Sequence, residues 1–146
     1  MNSQIIVSII LGVFASLIAG ANFYMNWRLA KDKLNKELFT EFNARYDKLN
    51  DTLYEIVEKC KTIEDLQAQP LLIYRLNDYF NLCAEEYYWY NKGRIDKLIW
   101  KAWHSGMNHW YQSYRIIQQA WDLEIQKNGC KSFYIKESNE FFKNGM

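Results

Sequence analysis

The chain has 146 residues, 49% hydrophobic and 24% charged, with a formal net charge of +1. That balance excludes a disordered chain, a collagen, a disulfide-stapled mini-protein and a strongly basic nucleic-acid binder. It leaves room for one small domain once any anchor is subtracted, and the charge is confined: no Asp, Glu, Lys or Arg precedes Arg28.

Residues 5–24 read IIVSIILGVFASLIAGANFY, with Asn22 the one strongly polar side chain. At about 1.5 Å of rise per residue, about 20 such residues match the roughly 30 Å hydrocarbon core of a bilayer. Phe23, Tyr24 and Trp27 follow where an interfacial aromatic belt would lie, and Arg28, Lys31, Lys33 and Lys36 come next, against Asp32 alone. Residues 1–27 are therefore expected to form a single-pass membrane anchor. The positive-inside rule puts the N-terminus outside and residues 28–146 in the cytoplasm. A cleaved signal peptide is the main rival reading: Ala19-Gly20-Ala21 resembles a cleavage site, but the stretch before the apolar run lacks a basic residue; a buried core helix is the lesser rival, since soluble helices rarely stay uncharged this long.

Ser8, Gly12, Ser16 and Gly20 recur every fourth residue and make one smooth stripe on that helix. Such a stripe lets a second helix approach closely, which predicts a homo-oligomer; the alternative is that small residues are simply common in membrane helices.

From Leu34 onward the apolar positions Leu38, Phe42, Tyr46, Leu49, Leu53, Ile56, Cys60 and Ile63 recur at helical spacing, and no Pro or Gly interrupts residues 21–69. This predicts a long stalk-like helix over 28–69, with an apolar seam available for self-association. Pro70 cannot continue that helix but suits the first turn of the next. A second helix is expected over about 71–90, stopped by Asn91-Lys92-Gly93. A third follows with Asp96 near its start, a kink at Ser105-Gly106 and a stop at Asn128-Gly129. A short run over 132–135 and a helical turn near 137–143 close the chain. The expected fold is all-α: an N-terminal transmembrane helix followed by a small cytosolic antiparallel helical bundle, residues 70–146 supplying its remaining helices.

Catalytic signatures are missing. His104 and His109 are five apart and fall on different faces of a helix, whereas metal pairs sit three or four apart. Cys60, Cys83 and Cys130 form no CxxC pair and imply neither a zinc site nor a disulfide framework. The adjacent Glu85 and Glu86 diverge by about 100° on a helix, so they make no paired-carboxylate site alone. No enzyme, metal or cofactor is expected.

Residues 85–114 are unusually aromatic, and only some of these rings fit one helical face; Tyr88, Trp89, Trp100 and Tyr111 are expected to face elsewhere. Such rings fill a small core or subunit interface, lie at a lipid headgroup surface, or stack on bases beside Lys92, Arg94, Lys97 and Lys101. Charge is segregated too: residues 62–91 carry net −4 and residues 92–146 net +4. The acidic second helix and the basic third either pair with each other or leave an anion site on the basic one.

The strings LFTEFNARYDKLND (38–51) and YFNLCAEEYYWYNKGRIDKLIWKAWHSGMNHWY (79–111) resemble a diffuse set of small bacterial proteins, many encoded on mobile elements or near phage-defence loci. In layout and size the chain also resembles the membrane-anchored effectors of type III CRISPR systems, whose cytosolic domain binds a cyclic oligoadenylate. The resemblance implies an antiviral sensor–effector that binds a cyclic oligonucleotide and acts on the membrane. Duplex nucleic acid is not an expected partner. Arg94, Lys97 and Lys92 would contact phosphate, Trp89 or Tyr90 would stack on a base, and the Gly93 turn would offer backbone N–H groups. The alternative is a non-enzymatic membrane scaffold that binds a protein partner through its helices.

Overall fold

A computed structural model of the protein describes residues 2–138 and 140–143, and these are helical without a strand. The elements are α1 (Ser3–Lys59), α2 (Ile63–Gln67), α3 (Pro70–Asn91), α4 (Lys97–Ser113), α5 (Arg115–Asn128), a 3₁₀ turn (Cys130–Phe133) and α6 (Glu140–Lys143). The chain divides into two compact units, Met1–Lys36 and Glu37–Met146, with α1 contributing to both.

The first unit is a helix whose apolar side chains over residues 5–18 are exposed. Val7, Leu11, Phe14, Leu17 and Ile18 are all exposed, and the most apolar 18-residue window has mean hydropathy 2.3 with none of it buried. By length and composition this helix can cross a membrane. Ser8 Oγ donates to the Gln4 carbonyl and Ser16 Oγ to that of Gly12, both at 2.9 Å. The hydroxyls of the small-residue stripe are thus satisfied within their own helix, as an apolar surrounding requires. Nearer the basic cluster, the Lys31 ammonium lies 5.9 Å over the Trp27 ring.

The second unit holds the core. Leu38, Phe42, Leu49, Leu53 and Ile56, the helical stripe of α1, are buried against the rest of this unit. The seam is therefore spent within the chain and is not the free stalk surface that its periodicity suggests. The stalk is also shorter than expected. α1 stops at Lys59, and Thr62 then opens α2 with a capping box: its side chain accepts from Asp65 N, and the Asp65 carboxylate accepts from Thr62 N. That reciprocal pair satisfies helix-end donors that continuation of α1 would have used, so the local capping chemistry overrides the uninterrupted helical pattern.

α3 begins at Pro70 and buries Leu72, Leu76, Phe80, Cys83 and Tyr87, the expected face, together with Tyr79, Leu82 and Glu86. α4 is capped by Asp96, whose carboxylate accepts from Leu98 N at 2.7 Å. It is continuous through Ser105 and Gly106. The expected single third helix is divided at Tyr114, in extended conformation (φ −126°, ψ 108°). Gln118 Nε2 covers the freed Tyr111 carbonyl at 2.7 Å, and the Tyr114 ring packs on Trp110 at 5.3 Å. Packing and a side-chain cap make this corner, with neither Pro nor Gly.

Trp121 on α5 is fully buried and meets Phe80, Phe133, Phe141 and Phe142 at centroid distances of 4.8–5.4 Å. Its indole N–H donates to the Ser138 carbonyl at 2.6 Å. Phe133, Phe141 and Phe142 are thereby core residues, whereas Tyr134 is exposed. Trp100 and Tyr111 are buried as well, against the expectation that they face elsewhere: Trp100 stacks on Tyr90 and Tyr111 on Phe142. In a unit this small, large rings supply apolar area that few residues could otherwise bury.

Candidate functional site

The expected ligand residues gather at the turn between α3 and α4. α3 closes when Arg94 N–H reaches back to the Trp89 carbonyl (3.0 Å) and Gly93 N–H to that of Tyr90 (2.8 Å). Gly93 sits at φ +65°, the left-handed conformation such a helix end requires. Those two N–H groups are consumed by the helix end and are not the free anion donors foreseen. Lys92, Arg94 and Lys97 are exposed and form no ion pair among the described residues.

The acidic second helix does not take these cations. Glu85 is engaged by Arg45 of α1 through two bonds, Nη1 to Oε2 at 2.6 Å and Nη2 to Oε1 at 3.0 Å. Asp78 lies 3.5 Å from Arg75, and Glu86 is buried. Of the two candidate stacking rings, Tyr90 lies 4.7 Å from Trp100 with the planes 11° apart, so one of its faces is covered. Trp89 is half-buried and meets Tyr88 edge-on at 5.4 Å; the Lys92 ammonium lies 5.4 Å over the same Tyr88 ring. The structure brings the three cations to one turn, but leaves the rings partly occupied by each other.

A second place was not singled out from the sequence. α1, α3 and α4 enclose a cavity of about 170 Å³ lined by Asn43, Tyr46, Tyr79, Cys83, Glu86 and Trp103, with Leu82, Ala102, Gly106 and Met107 completing the wall. Glu86 is only 5% exposed, and its carboxyl makes no hydrogen bond or ion pair among the described residues. Burial pushes its pKa up to about 8, the Arg45 charge opposing this and the Glu85 charge adding to it. The buried Tyr79 hydroxyl lies beside the Cys83 thiol, and burial holds both groups well above their ordinary pKa. The other polar groups at the rim are committed. Trp103 Nε1 donates to Asn43 Oδ1 at 3.2 Å, and Trp110 Nε1 to the Tyr46 hydroxyl at 3.0 Å. The signal for Glu86 was present in the sequence: it stands seven residues after Tyr79, four after Leu82 and three after Cys83, on the buried face of α3.

His104 is buried, and burial holds its pKa below the usual value; Asn108 Nδ2 lies 3.2 Å from its Nε2. Among the described residues no group of three or more His, Cys, Asp or Glu side chains comes together as a metal site. No protein family, curated protein or solved structure matches the chain, so any functional reading rests on these residues themselves.

Proposed function

We propose that the protein is a single-pass membrane sensor–effector, non-enzymatic, with the N-terminus outside and an antiparallel helical bundle in the bacterial cytoplasm. The bundle binds an anionic ligand at the turn between α3 and α4, a cyclic oligonucleotide being the class proposed, in an antiviral role. The observation that carries this reading is the cluster Lys92, Arg94 and Lys97: three exposed cations within six residues, without an ion-pair partner among the described residues. Arg94 supplies a planar fork for phosphate and the lysines supply point charges. Self-association through Ser8, Gly12, Ser16 and Gly20 would bring several such turns together, and a ligand that prefers one packing of the bundles would shift the assembly toward it. α1, unbroken from Ser3 to Lys59, is the element through which such a shift would reach the membrane.

Titration calorimetry of the full chain in lipid nanodiscs against a panel of cyclic oligonucleotides tests the reading. Saturable binding is expected, weakened about tenfold or more by Arg94→Ala with the helical signal unchanged, as for loss of a charge-assisted contact. Absence of heat across the panel with a folded chain overturns it. The scaffold reading then leads; it draws on Leu71 and Tyr74, three apart on α3 and 68% and 66% exposed, which offer a partner helix an apolar foothold.

A further inference from the structure

We propose that the cavity between α1, α3 and α4 is a binding site for a small organic ammonium ion, with the Glu86 carboxylate as its counter-ion. This goes beyond the anion site at the α3–α4 turn and stands or falls separately from it.

Buried carboxyl groups are normally paired or hydrogen-bonded, because an unpartnered one carries its full desolvation cost. Glu86 is buried and has no such partner among the described residues, and the nearest cation, Arg45, is bound by Glu85 through both nitrogens. The Glu86 carboxyl therefore has acceptor capacity that no described residue uses, and no Lys or Arg is among the residues that line the cavity.

The rest of the wall suits a cation. Tyr46, Tyr79 and Trp103 contribute aromatic rings, which attract a desolvated positive charge over their faces. The volume, about 170 Å³, compares with the roughly 150 Å³ engineered cavity that holds benzene, so a ligand of a few carbons with one ammonium head fits. An ammonium that retains N–H bonds can donate to Glu86, whereas an anion would face a carboxyl group and a purely apolar guest would leave that carboxyl unpaired.

The titratable groups around Glu86 are Arg45 and Tyr46 from α1, and Tyr79, Cys83 and Glu85 from α3; the α4 lining residues Ala102, Trp103, Gly106 and Met107 carry no charge. Burial favours the protonated form of Glu86 in the ligand-free protein, pushing its pKa up to about 8. The bound ammonium favours the carboxylate, so binding there releases the Glu86 proton to solvent while the ligand keeps its own charge.

The experiment is calorimetry of the full chain in nanodiscs at pH 7 with n-butylammonium chloride, and with n-butanol and sodium butyrate as the neutral and anionic counterparts. Butylammonium should bind saturably, one per chain. Butanol and butyrate should bind at least about tenfold more weakly, the cost of losing a buried charge-assisted contact. The apparent heat should change with the buffer's ionisation enthalpy in the sense of proton release. Glu86→Gln, nearly isosteric, should abolish both the preference for ammonium over butanol and the buffer dependence. Trp103→Leu should weaken butylammonium more than butanol. Equal affinity for butylammonium and butanol, unchanged ammonium binding in a folded Glu86→Gln, or no binding to a folded wild type would each overturn the assignment.

Discussion

The two halves of this chain solve opposite problems with the same secondary structure. Over residues 3–33 the helix displays apolar side chains on every side and contains no charge before Arg28. Over residues 38–56 the same helix displays a stripe, with Leu38, Phe42, Leu49, Leu53 and Ile56 inward and Glu41, Asp47, Lys48 and Asp51 outward. A helix that is apolar all round needs an apolar solvent, and a striped one needs a folded partner. The difference shows that continuity of a helix says nothing about what surrounds it; the angular distribution of its charge does.

That contrast is sharpest in core truncations. Trp121→Ala removes the ring that Phe80, Phe133, Phe141 and Phe142 share, and should cost about 3–5 kcal/mol in urea unfolding of the detergent-solubilised chain. Phe14→Ala, on the exposed N-terminal helix, should leave the same transition within about 0.5 kcal/mol. Equal effects of the two substitutions would erase the distinction between the halves.

The next effect in size is a pH dependence confined to the C-terminal unit. An ordinary glutamate in the unfolded chain loses its proton near pH 4.5, whereas buried Glu86 holds it to about 8. Between those values the folded state binds one proton more than the unfolded state, so this group's contribution to stability falls as pH rises and levels off above pH 8. The loss amounts to a few kcal/mol over the interval. Glu86→Gln should flatten that slope, so that the variant gains on wild type from pH 5 to pH 8. A wild type whose stability rises over this range, with the same slope in the variant, would remove Glu86 as a buried acid.

Much of this was legible in the sequence. The uncharged run, Pro70 opening α3, Gly93 closing it and the Asp96 cap each carry a local chemical signal that nothing in the fold overrides. The break at Tyr114 carried none, because it is made by Gln118 capping a carbonyl and by ring packing, which exist only once the unit is assembled. For the cavity the sequence carried half the signal: helical spacing puts Glu86 on the buried face of α3, but that Glu85 reaches Arg45, forty residues earlier, while Glu86 reaches no cation exists only in the fold.

Two glycines give a smaller pair of tests. Gly93→Ala places a Cβ at φ +65° and should destabilise by about 1 kcal/mol. Gly106→Ala, in the α4 interior with nothing within 4 Å of the added Cβ, should stabilise by up to about 1 kcal/mol through helix propensity. Both are measured by thermal unfolding; the same sign for the two would contradict the conformations assigned to them. On the other half of the molecule, Gly12→Ile with Gly20→Ile should lower the oligomer mass in detergent without moving the unfolding transition. An unchanged mass would leave the small-residue stripe without a role in assembly.

The most direct test of the two-part account is where each part resides. Cys60 and Cys83 are buried, so Cys130→Ser with a cysteine added after Met146 leaves one reactive thiol while keeping the core intact. The account predicts a full-length chain that stays with membranes through alkaline carbonate extraction and reacts with a membrane-impermeant maleimide only after the cells are opened. Labelling of intact cells would contradict the orientation, and release of the chain into the soluble fraction would contradict the anchor itself.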